Sequence, residues 1–192
     1  MSNTNQPLGR IMLRGVRLAF PNLFEATTVN GEGDPRFGAT LILPPDHPQL
    51  AELRKKIDAV AVEKWKDKAA AQVKAMEKTG KLCLRDGDEK PSYDGFPGNF
   101  FVAASAKENA RPTVIDGNKA PLTARDGKIY AGCYVNASID LWAQDNAYGK
   151  RVNAQLRGVQ FFRDGDAFSA GRPADSDEFE EVTEGTDSDD IA

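Results

Sequence analysis

A mainly β fold with one long helix is predicted for this 192-residue chain: a five-stranded, OB-type barrel with the helix after the second strand, followed by a disordered acidic tail. Three observations predict it. Segments in which apolar and polar residues alternate with period two occur five times, the pattern of half-buried strands. Only one segment repeats apolar residues at three- and four-residue spacing, and it follows the second of those strands. The strands do not alternate regularly with helices, which argues against a parallel doubly wound sheet. A small curled five-stranded sheet with a helix plugging one end is the OB arrangement.

Residues 1–8 form a short arm without the apolar run of a signal peptide. The first strand spans residues 9–20, with Ile11 and Leu13 on one face and Arg10, Met12 and Arg14 on the other. Pro, Asn, Gly and Asp crowd residues 21–35, which read as a loop. The second strand, 36–44, turns Phe37, Ala39, Leu41 and Leu43 inward and Arg36, Gly38 and Thr40 outward. The helix follows, with Asp46 as N-cap, Pro48 in the first turn and Gly80 as the stop. Leu50, Leu53, Ile57, Val60, Trp65, Ala69, Val73 and Met76 make its apolar stripe, and Trp65 is expected to anchor the core. His47, the single histidine, belongs to the capping neighbourhood rather than to a metal site.

Residues 82–98 read as a loop. The third strand, 99–107, sets Phe100, Val102, Ala104 and Ala106 against the core and Phe101, Ala103, Ser105 and Lys107 outside. A long connection, 108–127, leads to the fourth strand, 130–144. There Val135, Ala137, Ile139 and Leu141 face inward, and Tyr134, Asn136, Ser138, Asp140 and Trp142 outward. A turn containing Asn146 and Gly149 precedes the fifth strand, 151–162. It buries Val152, Ala154 and Leu156 and exposes Arg151, Asn153, Gln155 and Arg157. Phe20, Phe37, Phe100 and Phe161 are expected in the core. An Asp164–Gly165 turn closes the body, so residues 9–174 are expected to form one domain.

Charge divides the chain in two. Residues 175–192 hold nine carboxylates and no Lys or Arg, which leaves 20 of the 29 acidic residues in the body against all 25 basic ones, a net of +5. An apolar-poor block of like charge does not fold. A basic body joined to such a tail points to nucleic acid, with the tail as competitor or docking peptide. Cys83 and Cys133 are fifty positions apart with no CxxC spacing and read as reduced, buried thiols. P-loop, GxGxxG, HExxH and GxSxG signatures are absent, no apolar run is long enough to span a bilayer, and no cofactor or metal is implied. The expected setting is the cytoplasm. The sequence RDGD, at 85–88 and again at 163–166, pairs carboxylates. In Asp-Gly turns Asp serves the backbone, so a metal nuclease is the least favoured reading.

The outward strand faces carry Arg10, Arg14, Arg36, Phe101, Lys107, Tyr134, Asn136, Trp142, Arg151 and Arg157. Basic side chains that follow phosphates, with aromatic rings on which bases stack, bind a single strand with little sequence preference. Curling the sheet would bring some of these residues to one groove. Tyr134 and Trp142 are the favoured stacking rings, because their strand already has a separate apolar face. The competing expectation is a protein-binding adaptor that uses the helix and tail.

The order and spacing of AFPNLFEA (19–26), RFGATLILPP (36–45), LCLRDGDEK (82–90), FFVAASAKENARPTVID (100–116), YAGCYVNASIDLWAQDN (130–146) and GKRVNAQLRGVQFFRDGD (149–166), with the acidic tail, resembles a family of single-stranded-DNA-binding proteins from tailed bacteriophages. The resemblance implies an OB fold and non-catalytic binding of single-stranded DNA in phage replication or recombination. It also implies that the K-x-x-x-R-P segment, with Lys107, Arg111 and Pro112, lies beside the binding groove. The tail is similar to those with which such proteins meet replication and repair partners. Here its end, with Asp187, Asp189, Asp190 and Ile191, lacks a terminal aromatic residue. A homodimer is the candidate assembly.

Overall fold

The computed structural model describes residues 6–168; residues 1–5 of the expected arm and the whole expected acidic tail lie outside them. The described residues form β1 (Arg10–Val29), β2 (Glu32–Leu43), α1 (Leu50–Trp65), α2 (Ala69–Thr79), β3 (Leu84–Asp86), β4 (Phe100–Lys107), β5 (Thr113–Ile115), β6 (Tyr134–Asn146) and β7 (Gly149–Arg163). The five strands expected are therefore seven. The two additions, β3 and β5, are three residues each, too short to show a period, and fall in segments read as connections.

The strands pair in the order β3-β4-β2-β1-β6-β7-β5, and β4 pairs in addition with β7. The ladder β4-β2-β1-β6-β7 thus returns on itself, an OB-like arrangement. The closing seam is short and parallel, Ala104 opposite Ala154 and Ser105 opposite Gln155. β1 makes the closure possible by serving two partners. Arg10 to Arg17 pair with β6, and Arg17 onward with β2.

The loop expected at 21–35 is mostly strand. Pro21 has no N–H for a ladder, and β1 accommodates it where the register with β2 shifts, between Ala19 and Asn22. The strand then runs on to a two-residue hairpin at Asn30 and Gly31. Their φ values of 54° and 74° are the left-handed pair that an Asn-Gly I′ turn supplies.

The inward residues assigned from alternation form the core. Leu13, Val135, Ala137, Ile139 and Leu156 are fully buried, with Leu41, Leu43 and Val102 beside them. The helical stripe packs on this layer through Leu53, Ile57, Ala61, Trp65 and Met76, and Val73 packs at its margin. Two details of the helix differ from expectation. Gln49, not Asp46, is the N-cap, because a turn at 46–49 delays the helix. His47 does serve that turn, accepting from the Gln49 amide at 3.1 Å. The helix also breaks at Lys66 (φ 53°, ψ −123°) and resumes as α2, which ends at Gly80 in the left-handed conformation. The break lets Trp65 turn its ring into the core while its indole Nε1 donates to Asp145 Oδ2 at 2.9 Å.

Phe20, expected inside, is 53% exposed. The register shift at Pro21 and a φ of 47° swing it out of the alternation, against Tyr93 and Phe96.

Candidate nucleic-acid interface

Outward residues of β2, β4, β6 and β7 meet across the closing seam in a groove of about 610 Å³. Arg36 and Lys107 stand at one end and Trp142 at the other; Ser105, Gln144, Asn153 and Gln155 lie between. The small side chains of Ala103 and Ala110 keep the lining low, and the buried Ala106 and Ala154 underlie it. Trp142 and Asn153 are cross-strand partners on β6 and β7. Gln144 fixes Asn153 by accepting from its amide at 2.9 Å. Trp142 is 47% exposed, next to the buried Leu141 on the same strand.

Electrostatics at the other end are unusual for a sheet. Arg36 and Lys107 are direct cross-strand partners. Like charges placed opposite one another destabilise a strand pair. Arg36 donates to Ser105 Oγ at 3.2 Å, and neither cation is in an ion pair among the described residues. An anion bridging the two would relieve the repulsion.

Two shallower depressions continue the groove. One shares Arg36 and Lys107 with it and reaches Asp34 and Asn109. The other shares Trp142 and Gln155 and reaches Pro7, Leu8 and Lys64. The three depressions thus adjoin through Arg36 and Lys107 on one side and through Trp142 and Gln155 on the other.

Of the residues expected to bind, Arg36, Lys107 and Trp142 line this groove. Arg111 follows the lining residue Ala110; its Nη2 donates to the Phe24 carbonyl at 2.8 Å and its guanidinium lies 5.9 Å from the Phe37 ring centre. Arg151 is the cross-strand partner of Gln144. Arg10 and Arg157 both approach Asp140, at 2.8 and 3.8 Å, on the wall of the second depression. Three lie elsewhere. Arg14, on β1, is exposed, its backbone bonded to Gln49 and His47 in the segment before α1. Asn136 bonds Gly15 and Gln160. Tyr134 carries Arg163 at 4.1 Å and Arg17 at 5.6 Å over its ring.

Phe101 is a correction. It is on the outward face of β4, as the alternation requires, yet only 4% exposed. Phe96, Ala19 and Ile42 bury it in a second small apolar cluster, so no ring face remains for a base. Alternation places Asn153 and Gln155 outward, but uncharged amides carry no signal that separates a groove lining from a solvated strand face. Lys64 carried no signal, since its place beside Trp142 depends on how α1 packs.

The first carboxylate pair serves the backbone, whereas Asp164 of the second bonds a side chain. Asp86 accepts from the Asp88 amide and Asp88 from that of Gly98. Asp164 accepts from the Tyr130 hydroxyl. No group of three metal-ligating side chains occurs among the described residues, and no helix among them is long and apolar enough to cross a membrane.

The family described as "Enterobacter phage Enc34, ssDNA-binding protein" matches residues 9–192. Protein p50 of Acyrthosiphon pisum secondary endosymbiont phage 1 is 46% identical over 177 residues, 91% of this chain and 94% of that protein. The solved structure of the single-stranded DNA-binding protein from bacteriophage Enc34 in complex with ssDNA is similar with a TM-score of 0.68 and 27% identity, over 84% of this chain and 90% of that one. Gp2.5, a single-stranded DNA binding protein encoded by bacteriophage T7, is similar with a TM-score of 0.57 over 90% of this chain and 98% of that one. At 16% identity that likeness concerns the fold alone.

Proposed function

The chain belongs to the family of the Enterobacter phage Enc34 single-stranded-DNA-binding protein, and from that premise we propose that it binds single-stranded DNA, without sequence preference and without catalysis, in the groove over the β4–β7 seam. One observation carries the reading: an exposed tryptophan shares a low-walled groove with two facing cations that have no acidic partner among the described residues. Phosphates engage Arg36 and Lys107, and a base stacks on Trp142. The amides of Gln144, Asn153 and Gln155 give hydrogen bonds that any base edge or sugar can use. The closed ladder is then a five-stranded barrel with two short added strands, and residues 9–174 form the binding domain. Arg111 and Arg151 flank the groove, and Arg10 and Arg157 extend its positive field.

The acidic segment 175–192, with nine carboxylates, competes with DNA for the basic groove and meets replication or recombination proteins in the host cytoplasm. Its end, Asp187 to Ile191, is the partner-docking stretch. A homodimer would set two such grooves in one assembly.

Fluorescence anisotropy of labelled oligo-dT tests this. Trp142→Ala is expected to weaken binding by about tenfold or more, from roughly 1–3 kcal/mol per stacked base. Arg36→Ala and Lys107→Ala should each reduce the slope of log affinity against log salt by about 0.7. Removing residues 175–192 should raise affinity, more at low salt than at high. Unchanged affinity for all three point variants would remove the groove from the reading, and an unchanged tail deletion would remove the competition.

A further inference from the structure

We propose that the exposed ring pair Phe20 and Tyr93 is the seat of this chain's own segment 169–174, with the guanidinium of Arg172 laid over the rings. The pair caps an aromatic cluster. Tyr93 stands edge-on to Phe20 at 5.1 Å and to Phe96 at 5.5 Å, and Phe96 lies 5.0 Å from Phe101. Phe96 and Phe101 are buried, whereas Phe20 and Tyr93 are exposed. Phe20 holds its position at a φ of 47°, in the left-handed region that a bulky side chain rarely enters. Strain of this kind collects at ligand-binding positions. Guanidiniums already cover other rings of the cluster. Arg85 lies 5.4 Å from the Phe101 ring centre, and Arg17 lies 4.5 Å from that of Phe168 at the cluster's border. No cation stands over Phe20 or Tyr93 among the described residues.

Two observations name the occupant. The first is where the described chain ends. The Phe168 ring reaches to within 2.6 Å of where a Cβ on Gly95 would stand, and Gly95, at a φ of 81°, is two residues from Tyr93. The exit is fixed there: the Phe168 amide donates to the Ala131 carbonyl at 3.0 Å, and Arg17 Nη2 donates to the Asp166 carbonyl at 2.6 Å. Arg172 comes four residues later, a reach of at most roughly 14 Å. A guanidinium needs only to come within about 6 Å of a ring centre to be held by its face. The second observation is charge. The loop that carries Tyr93 holds Asp86, Asp88, Glu89 and Asp94 against Lys90, and Glu89 is paired with Arg85. Such a rim repels the nine carboxylates of 175–192 and attracts a cation. Arg172 is the only Lys or Arg after Arg163. Seated on the rings, it turns the acidic stretch that follows away from this loop. Phe101 beneath the patch and Ala103 in the groove lining leave β4 on the same face, two residues apart, so that stretch starts beside the groove.

The test is read without DNA, so its failure leaves the groove standing. Arginine Nε–H correlations are recorded by NMR on the full chain labelled with nitrogen-15, at mildly acidic pH where that proton exchanges slowly. Arg172→Lys identifies the Arg172 signal by removing it. A ring shifts a proton held over its face upfield, so the Arg172 signal is expected upfield of its position in denaturant. Tyr93→Ala and Phe20→Ala, changes at exposed rings, are each expected to return it toward that position. Tyr93→Leu keeps apolar bulk but has no ring face, and should do the same. Amide spectra show which variants keep the fold, and Phe20→Ala carries the test where Tyr93→Ala does not. A wild-type signal already at its denatured position overturns the proposal. So does an upfield signal that loss of either ring leaves unmoved, which would place the guanidinium elsewhere. A shift preserved in Tyr93→Leu would overturn the cation–ring contact. A shift that fades on dilution would assign the seat to a second copy's segment and overturn the intramolecular one.

Discussion

Burial sets the chemistry of the two thiols. Desolvation pushes the Cys83 thiol up to about 12, against smaller opposing effects of backbone hydrogen bonds. Desolvation also raises Cys133, which the Asp164 carboxylate reinforces. Only a thiolate alkylates. Iodoacetamide at pH 8 is therefore expected to leave both cysteines of the native protein unmodified and to label both in denaturant, read by intact mass. Rapid labelling of the native chain would mean that β3 or the turn before β6 opens. At this scale the sequence was informative where alternation was undisturbed. Period two put Arg36, Lys107 and Trp142 on solvent faces, and they do line the groove. The exposure expected of Phe101 and the burial expected of Phe20 both failed, for related reasons. Alternation reports which face of its own strand a side chain leaves from, not what another segment lays over that face. Phe96, from a loop rich in turn residues, covers Phe101. Phe20 is turned outward by a bulge that Pro21 marks but does not fix.

Secondary elements were legible in proportion to their length. The stripe from Leu50 to Met76 gave the helix, and every inward residue assigned to the expected second, fourth and fifth strands is buried. The three-residue strands β3 and β5 were not, because they exist only by pairing with β4 and β7. Their stabilisation comes from partners distant in sequence. Nor was the helix break visible: lysine is an ordinary helix residue, and nothing local announces that Trp65 must turn to meet Asp145. That break makes an inverted prediction. Glycine inside a helix normally costs about 0.5–1 kcal/mol relative to alanine. At Lys66 the backbone already has positive φ, so Lys66→Gly is expected to stabilise the fold by about 1 kcal/mol. Denaturant unfolding would show a higher midpoint at unchanged slope. A lower midpoint would show that the lysine side chain contributes more than its backbone conformation costs.

Across the whole molecule, the body and the terminal segment carry opposite charge, and the ladder closes through only two residue pairs between β4 and β7. The groove lies directly over that closure, so DNA bound there as proposed would hold the two sides together and favour the closed state. Saturating oligo-dT at about 100 times its Kd is expected to stabilise the fold by roughly 2.7 kcal/mol. The thermal midpoint should rise with oligomer concentration, and amide exchange should slow most at 104–105 and 154–155. Uniform slowing would assign the effect to global unfolding rather than to the seam. The fold class was legible because a mainly β chain with its helix after the second strand survives errors in single elements, even where the strand count does not. The closure was not, since no local pattern links Ala104 to Ala154.

The parallel seam also has a consequence in time. β1 and β2 are neighbours joined by a two-residue turn, and that ribbon can assemble as soon as it leaves the ribosome. β4 must wait for β7, about fifty residues later in the chain, before its outer face acquires the opposite wall of the groove. A growing chain thus holds Arg36 and Lys107 long before it holds Trp142 across from them. On the proposed reading of the groove, grip on DNA becomes available only when synthesis of the body is nearly finished, and a half-made copy would not hold a strand to its own ribosome.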